Sequence, residues 1–289
     1  KTKKIEKELR DDKIIIVTGF QGMTPEKEIT TLGRGGSDLS AVALAVALKA
    51  DRCEIYTDVE GIFTADPRLV PQARKIDCIT FDEMLELASC GAQVLQTRAV
   101  EVAKKFNLPI CVRSSFTKKE GTIVMERKTL IEEPVVRGIT LATDEVKITI
   151  CNVPDRPGIA AVIFEAIANR GINVDMIVQN VSHKKVTDIS FTVGKQDAHK
   201  ALDIVKRIAK EIRANRVIFD EDVAKVSIVG VGMRSHSGVA SRVFKVLASH
   251  KINIEMISTS EINISCIIKK KEGGKAVRAL HKAFELDKK

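Results

Sequence analysis

Gly171-Ile172-Asn173-Val174-Asp175-Met176-Ile177 returns later in the chain as Lys251-Ile252-Asn253-Ile254-Glu255-Met256-Ile257. Upstream, Lys147-Ile148-Thr149-Ile150 is matched by Lys225-Val226-Ser227-Ile228. Gly158 precedes Asn173 by 15 residues and Gly238 precedes Asn253 by the same 15. Such self-similarity marks two copies of one supersecondary unit. Each copy has a strand, a glycine loop, a helical stretch and a second strand. A third strand follows (Asp188 to Val193; Asn263 to Ile268), then a helix (Ala198 to Ala214; Gly274 to Phe284). The pattern is β-α-β-β-α-β, the ferredoxin-like unit, with Lys184-Lys185 as the hairpin tip of the first copy. The first copy closes with a fourth strand, Arg216 to Phe219, but the second copy has none after its helix. Val135 to Thr140 has no other assignment. It is expected to fill that position, so that the first module is inserted within the second.

The front half reads differently. Ile14-Ile15-Ile16-Val17-Thr18-Gly19 is β-branched and ended by glycine, as expected of a buried parallel strand. Leu39 to Ala50, Phe81 to Leu87 and Ala99 to Phe106 have helical patterns, and Cys53 to Thr57 and Ile110 to Arg113 strand patterns. Alternation of this kind predicts an α/β layer with parallel strands.

The 289 residues carry 47 Lys+Arg against 38 Asp+Glu, a formal charge of +9. With no Trp and one Tyr, stacking platforms for single-stranded nucleic acid are scarce, and no nucleic-acid partner is expected. The longest basic run, Lys269 to Lys271, reads as a solvated strand edge. No apolar stretch approaches the roughly 18 residues of a membrane span. Lys1 to Lys13 is charged with no apolar run behind it, unlike a secretory signal. The six cysteines are scattered without a C-x-x-C pair and the five histidines show no ligand spacing, so no metal centre is expected. A reducing, cytoplasmic compartment suits such cysteines.

Two stretches carry chemistry. Gly33-Arg34-Gly35-Gly36-Ser37-Asp38 opens a helix. Glycines let the backbone approach an anion, the helix start offers N–H groups to phosphate, and Arg34 can hold a carboxylate or phosphate in a fork. Ser37 or Asp38 can equally be an ordinary N-cap. Thr57-Asp58-Val59-Glu60-Gly61-Ile62-Phe63-Thr64-Ala65-Asp66-Pro67-Arg68 follows a strand end, where α/β folds place ligands. There Asp58 can orient a nucleotide hydroxyl or a metal-bound water and Arg68 can face phosphates. The alternative makes Asp58 a turn former and Asp66-Pro67 a helix entry.

Together with Gly19-Phe20-Gln21-Gly22, Ala88-Ser89-Cys90-Gly91-Ala92-Gln93-Val94-Leu95 and Val112-Arg113-Ser114-Ser115-Phe116, these runs closely resemble the aspartokinase family of the amino-acid kinase superfamily. Asp155-Arg156-Pro157-Gly158 and Ile257-Ser258-Thr259-Ser260-Glu261 resemble its paired regulatory ACT modules. The resemblance implies an α/β fold: the C-terminal part of a parallel-sheet amino-acid kinase domain (1–128), then two ferredoxin-like ACT modules (145–221; 134–143 plus 223–289). It implies phosphoryl transfer from ATP with Mg2+ to the side-chain carboxylate of L-aspartate, the first step toward lysine, threonine and methionine. Arg34 would grip aspartate, and Ser37 and Asp38 would organise substrate and phosphoryl group. Thr57, Asp58, Phe63, Arg68 and Gln93 would line the nucleotide site. Phe63 stands where the family usually has Tyr, and Gln93 where it often has Lys; Gln93 brings no positive charge.

Lysine, threonine or both are the implied effectors. Asp155, Gly158, Ile159, Ala160 and Gln179 of one module would face Asn253, Ile254, Ser260 and Glu261 of the other, across a dimer or higher oligomer. Met176 and Met256 are read as core instead. The family's catalytic Lys belongs to an upstream Lys-Phe-Gly-Gly loop that these residues lack. Little kinase activity is therefore expected of this polypeptide alone, and a non-catalytic amino-acid sensor is the alternative.

Overall fold

The computed structural model describes residues 2–33, 35–92, 94–126, 135–180 and 185–288. α1 (Lys3–Arg10) buries no residue. The Ile14–Gly19 stretch, expected as a buried strand, is not one: Ile14 and Ile16 are each 94% exposed. Branched side chains favour extended backbone, but a strand needs a ladder partner, and among the described residues none pairs with this stretch. Pairing starts with the hairpin β1 (Gln21–Met23) and β2 (Ile29–Thr31).

α2 (Gly36–Ala47), β3 (Cys53–Thr57), β4 (Cys78–Ile79), α3 (Phe81–Ser89), α4 (Thr97–Lys105), β5 (Ile110–Ser114) and β6 (Thr122–Val124) form the first α/β unit. Its sheet order is β3-β5-β6-β4. β3 and β5 run parallel, as does β4 with β6, but β6 returns antiparallel to β5, so the sheet is mixed. The link from Ser114 to Thr122 is too short for a parallel crossover, which takes a dozen residues or more. Phe81, Met84 and Leu87 of α3 pack with Ile110, Val112 and Val124 in its core. Thr80 and Glu83 form the capping box that starts α3.

β7 (Gly138–Ala142) comes next. β8 (Glu145–Pro154), α5 (Ile159–Ala168), β9 (Val174–Gln179), β10 (Val186–Gly194), α6 (Ala198–Glu211) and β11 (Arg216–Asp220) build one module, with antiparallel order β11-β8-β10-β9. β12 (Val223–Val229), α7 (Val239–Ser249), β13 (Met256–Thr259), β14 (Asn263–Lys269) and α8 (Gly273–Ala283) build the second, with order β13-β14-β12-β7. Its fourth position is taken by β7, which lies ahead of the first module in sequence; Gly138 sits opposite Val229 and Ala142 opposite Lys225. β12 is buried along its whole length, and β7 satisfies backbone groups that would otherwise be orphaned there.

Met176 and Met256 meet Val223 and Ile267 in a small apolar cluster between the modules. Ion pairs flank it: Lys225 with Asp175, and Lys147 with Glu255. Lys269 is not merely part of a solvated edge, because its ammonium lies 2.8 Å from Asp220 and 3.1 Å from Glu255. Lys185, the described half of the Lys184-Lys185 pair, is exposed with a φ of 57°, as a hairpin tip requires.

Candidate functional site

The first site loop is shaped by two glycines. Gly33 (φ 81°) and Gly35 (φ 74°) are left-handed, and a Cβ on Gly35 would lie 2.0 Å from the Gln96 side chain. Gly35, not Ser37 or Asp38, is the N-cap of α2, and no side chain caps it. Ser37 and Asp38 lie instead in the first helical turn, where a carboxylate complements the helix dipole. Asp38 Oδ2 accepts the Gln96 N–H at 3.3 Å, which fixes the start of α4 against the start of α2. Ser40 ties the same turn to Phe20 by accepting its N–H at 2.9 Å. Arg34 and Gln93 lie outside the described residues.

The second cluster sits at the carboxyl end of the parallel strand β3. Thr57 Oγ1 donates to Asp58 Oδ1 at 3.0 Å. The segment beyond returns as a short antiparallel ladder: Phe63 bridges Lys75, Thr64 N–H donates to Arg74 O at 2.9 Å, and Ile76 N–H donates to Ile62 O at 2.8 Å. Asp66 and Pro67 do not enter a helix. Arg68 closes back on Asp66 through its backbone N–H (2.9 Å), Nε (3.0 Å) and Nη2 (2.8 Å). Those bonds hold the Asp66 carboxyl below its usual range and the Arg68 guanidinium above its own, and Asp58 adds to the latter. Asp58 and Arg68 are both exposed. Phe63 is half-buried. Among the described residues, no hydrogen bond or ion pair links Ser37 or Asp38 to Thr57, Asp58 or Arg68.

This second cluster is held from below by the second module. Thr64, which is 2% exposed, accepts the Arg74 N–H at 3.0 Å and meets His281 Nε2 of α8 at 2.9 Å. Its carbonyl accepts the Ile139 N–H of β7 at 2.8 Å. Burial lowers the His281 pKa and favours the neutral imidazole, in which Nε2 either accepts from the Thr64 hydroxyl or donates to it according to the tautomer. Sequence reading left His281 without a role, because an isolated histidine on a helix carries no signal until its helix is docked. α3 is joined to the same module by Asn263, whose amide donates to Glu86 Oε1 at 2.7 Å.

In the modules, Gly158 (φ 91°) and Gly238 (φ 90°) are the left-handed N-caps of α5 and α7. Asp155, Gly158 and Gln179 are exposed, Ile159 buried and Ala160 partly so. Asn253, Ser260 and Glu261 are exposed, with Ile254 partly covered. Among the described residues of one chain no hydrogen bond or ion pair joins the two sets. Ser260 and Glu261 instead border a cleft of about 500 Å³ belonging to the second module itself, lined also by Arg234, His236, Gly238 and Thr259. Glu261 meets Arg234 at 3.1 Å. His236 bonds Gly232 O at 2.8 Å and forms part of the wall. Gly238, Val239, Ala240 and Thr259 are the repeat equivalents of Gly158, Ile159, Ala160 and Gln179. The repeat register could have found them.

Comparison with known proteins agrees with this architecture. The amino acid kinase family matches residues 1–114, and the ACT domain matches residues 141–208 and 226–284. Aspartokinase of Pseudomonas aeruginosa is 54% identical over 285 residues, covering 98% of this chain and 69% of that protein. Aspartokinase of Helicobacter pylori is 51% identical over 290 residues, 99% of this chain and 71% of the relative. Among solved structures, E. coli aspartokinase III in complex with aspartate and ADP aligns with a TM-score of 0.81 at 30% identity. That alignment covers 98% of this chain and 63% of the other. Clostridium acetobutylicum aspartate kinase gives a TM-score of 0.81 at 27% identity, covering 92% and 62%. This chain therefore spans roughly two-thirds of its relatives' length, and it belongs to the aspartokinase family.

Proposed function

We propose that this chain supplies the nucleotide-facing and regulatory portion of an enzyme that phosphorylates the side-chain carboxylate of L-aspartate with ATP. The observation that carries this is the Thr57-Asp58 pair at the carboxyl end of the parallel strand β3. Phosphoryl transfer relies on positioning and charge neutralisation. Arg34 grips the aspartate substrate, Ser37 and Asp38 organise it at the start of α2, and Thr57, Asp58, Phe63, Arg68 and Gln93 line the nucleotide. Arg68 reaches phosphate by leaving Asp66 or by presenting its outer edge. Mg2+ takes one or two carboxylates plus phosphates and water, and exposed Asp58 suits that role. Among the described residues, no three His, Cys, Asp or Glu side chains gather to hold a metal by themselves, so the ion would arrive with the nucleotide, whose charge it neutralises.

The regulatory part of the reading divides the chain into residues 1–128, 145–221 and 134–143 plus 223–289. It assigns lysine, threonine or both as effectors at Asp155, Gly158, Ile159, Ala160 and Gln179 and at Asn253, Ile254, Ser260 and Glu261, in a dimer or higher oligomer in the cytoplasm. One solved relative, E. coli aspartokinase III, has been crystallised with lysine and aspartate, which supports lysine. A second reading, a non-catalytic amino-acid sensor, is supported by the open cleft beside Ser260.

Hydroxylamine trapping of aspartyl phosphate, with calorimetric titration of lysine and threonine, separates the two. Turnover that falls with Asp58→Asn upholds the kinase reading. Effector binding without turnover upholds the sensor. Effector binding unchanged in Ser260→Phe removes the regulatory assignment.

A further inference from the structure

A second cavity, of about 200 Å³, lies at the seam between the Ile62–Ile76 segment and the second module. Thr64 and Arg74 form one wall, and Val136, Arg137 and Leu286 the other, with Asp77 at the rim. Arg74 Nε is fully buried and has no hydrogen-bond partner. Its guanidinium makes no ion pair among the described residues, whereas Arg137 is engaged with Glu83 at 3.1 Å. Asp77, whose side chain is 85% exposed, leans toward Lys75 at 3.9 Å instead of toward Arg74. The Arg74 backbone is pinned on both sides by Thr64, which donates to its carbonyl and accepts its N–H. Arg74 as a residue is only partly buried, but its Nε is a desolvated cationic donor without an acceptor, which is costly, and the acceptor that completes a guanidinium fork is an oxyanion.

We propose that this seam cavity binds a small free oxyanion, of the phosphate or sulfate type, on the Arg74 guanidinium. The partly open volume admits such an ion beside Arg74, and the apolar Val136 and Leu286 on its wall reduce the water around it and strengthen the interaction. Because Thr64 links Arg74, His281 and Ile139, an occupied cavity stiffens the joint between the nucleotide-facing segment and the second module. The site is separate from Thr57, Asp58 and Arg68 and does not depend on the role assigned to them.

The test is titration of inorganic phosphate into the full chain, with and without saturating AMP-PNP, read by amide hydrogen exchange. Phosphate should slow exchange at the 62–64 and 74–76 ladder whether or not AMP-PNP is present. Arg74→Gln should weaken that protection by about tenfold or more. In phosphate-free buffer the same variant should melt no lower than wild type, because it removes an unpaired donor and no existing bond. Protection that AMP-PNP abolishes, or that Arg74→Gln leaves intact, overturns the proposal. So does an Arg74→Gln chain that melts lower by the same amount with and without phosphate, since that outcome makes Arg74 purely structural.

Discussion

Lys225, only 3% exposed in the first strand of the second module, places its ammonium on Asp175 of the first module. The repeat inverts the arrangement, because Lys147 in the equivalent position of the first module reaches Glu255 of the second. The two modules are thus joined by reciprocal ion pairs around Met176 and Met256. Burial by itself lowers the Lys225 pKa, and Asp175 with Glu145 more than reverses that.

Lys225→Met is expected to destabilise the chain by about 2–3 kcal/mol. Removing one partner of a buried pair costs roughly 3–5 kcal/mol, and the figure is reduced here because Asp175 is partly solvated. Urea unfolding of the single variant and of Lys225→Met with Asp175→Asn measures it. The double variant should recover part of the loss.

The module seam should weaken in acid. Burial pushes the Glu255 and Asp220 carboxyls up, but hydrogen bonds from Lys147 and Lys269 to Glu255, and from Lys269 to Asp220, outweigh it and hold both below their ordinary values of 4.5 and 3.8. A carboxyl depressed in the folded state contributes stability that is present above its ordinary value and lost as pH falls through the folded one. Melting temperature should therefore hold from neutrality to about pH 4.5 on this account and then fall. Lys269→Met should shrink the fall.

His281 adds an earlier step. Burial depresses its pKa below the ordinary 6.5, so the unfolded chain takes up the proton first. Stability from this group is present above pH 6.5 and lost as pH drops below it. Denaturant midpoints between pH 7.5 and 5.5 should decline in wild type and stay flatter in His281→Gln. That variant can still hydrogen-bond Thr64 through its amide, as donor or acceptor.

Two glycines separate steric from conformational demand. A Cβ on Gly121 would meet Val112 O at 1.8 Å, whereas one on Gly158 would meet nothing within 4 Å. Gly121→Ala should cost at least about 3 kcal/mol through displaced backbone. Gly158→Ala should cost about 1 kcal/mol, from its left-handed φ alone. Paired urea melts check the order.

Local pattern set much of this protein. The repeat around Asn173 and Asn253, with its two glycine loops, pointed to two similar four-stranded modules, and the missing strand after the second helix pointed to Val135–Thr140, which overlaps β7. That Asp58 follows a strand end was legible, because the β-branched and aromatic run Cys53–Thr57 stops there. Tertiary structure decided the rest. Whether Ile14–Gly19 forms a strand depends on a ladder partner, which no propensity encodes. That Lys269 joins two modules, that Arg68 turns onto Asp66, and that His281 supports Thr64 from 217 residues away follow from docking. Period and turn chemistry act over a few residues, while burial and ion pairing depend on which surfaces meet.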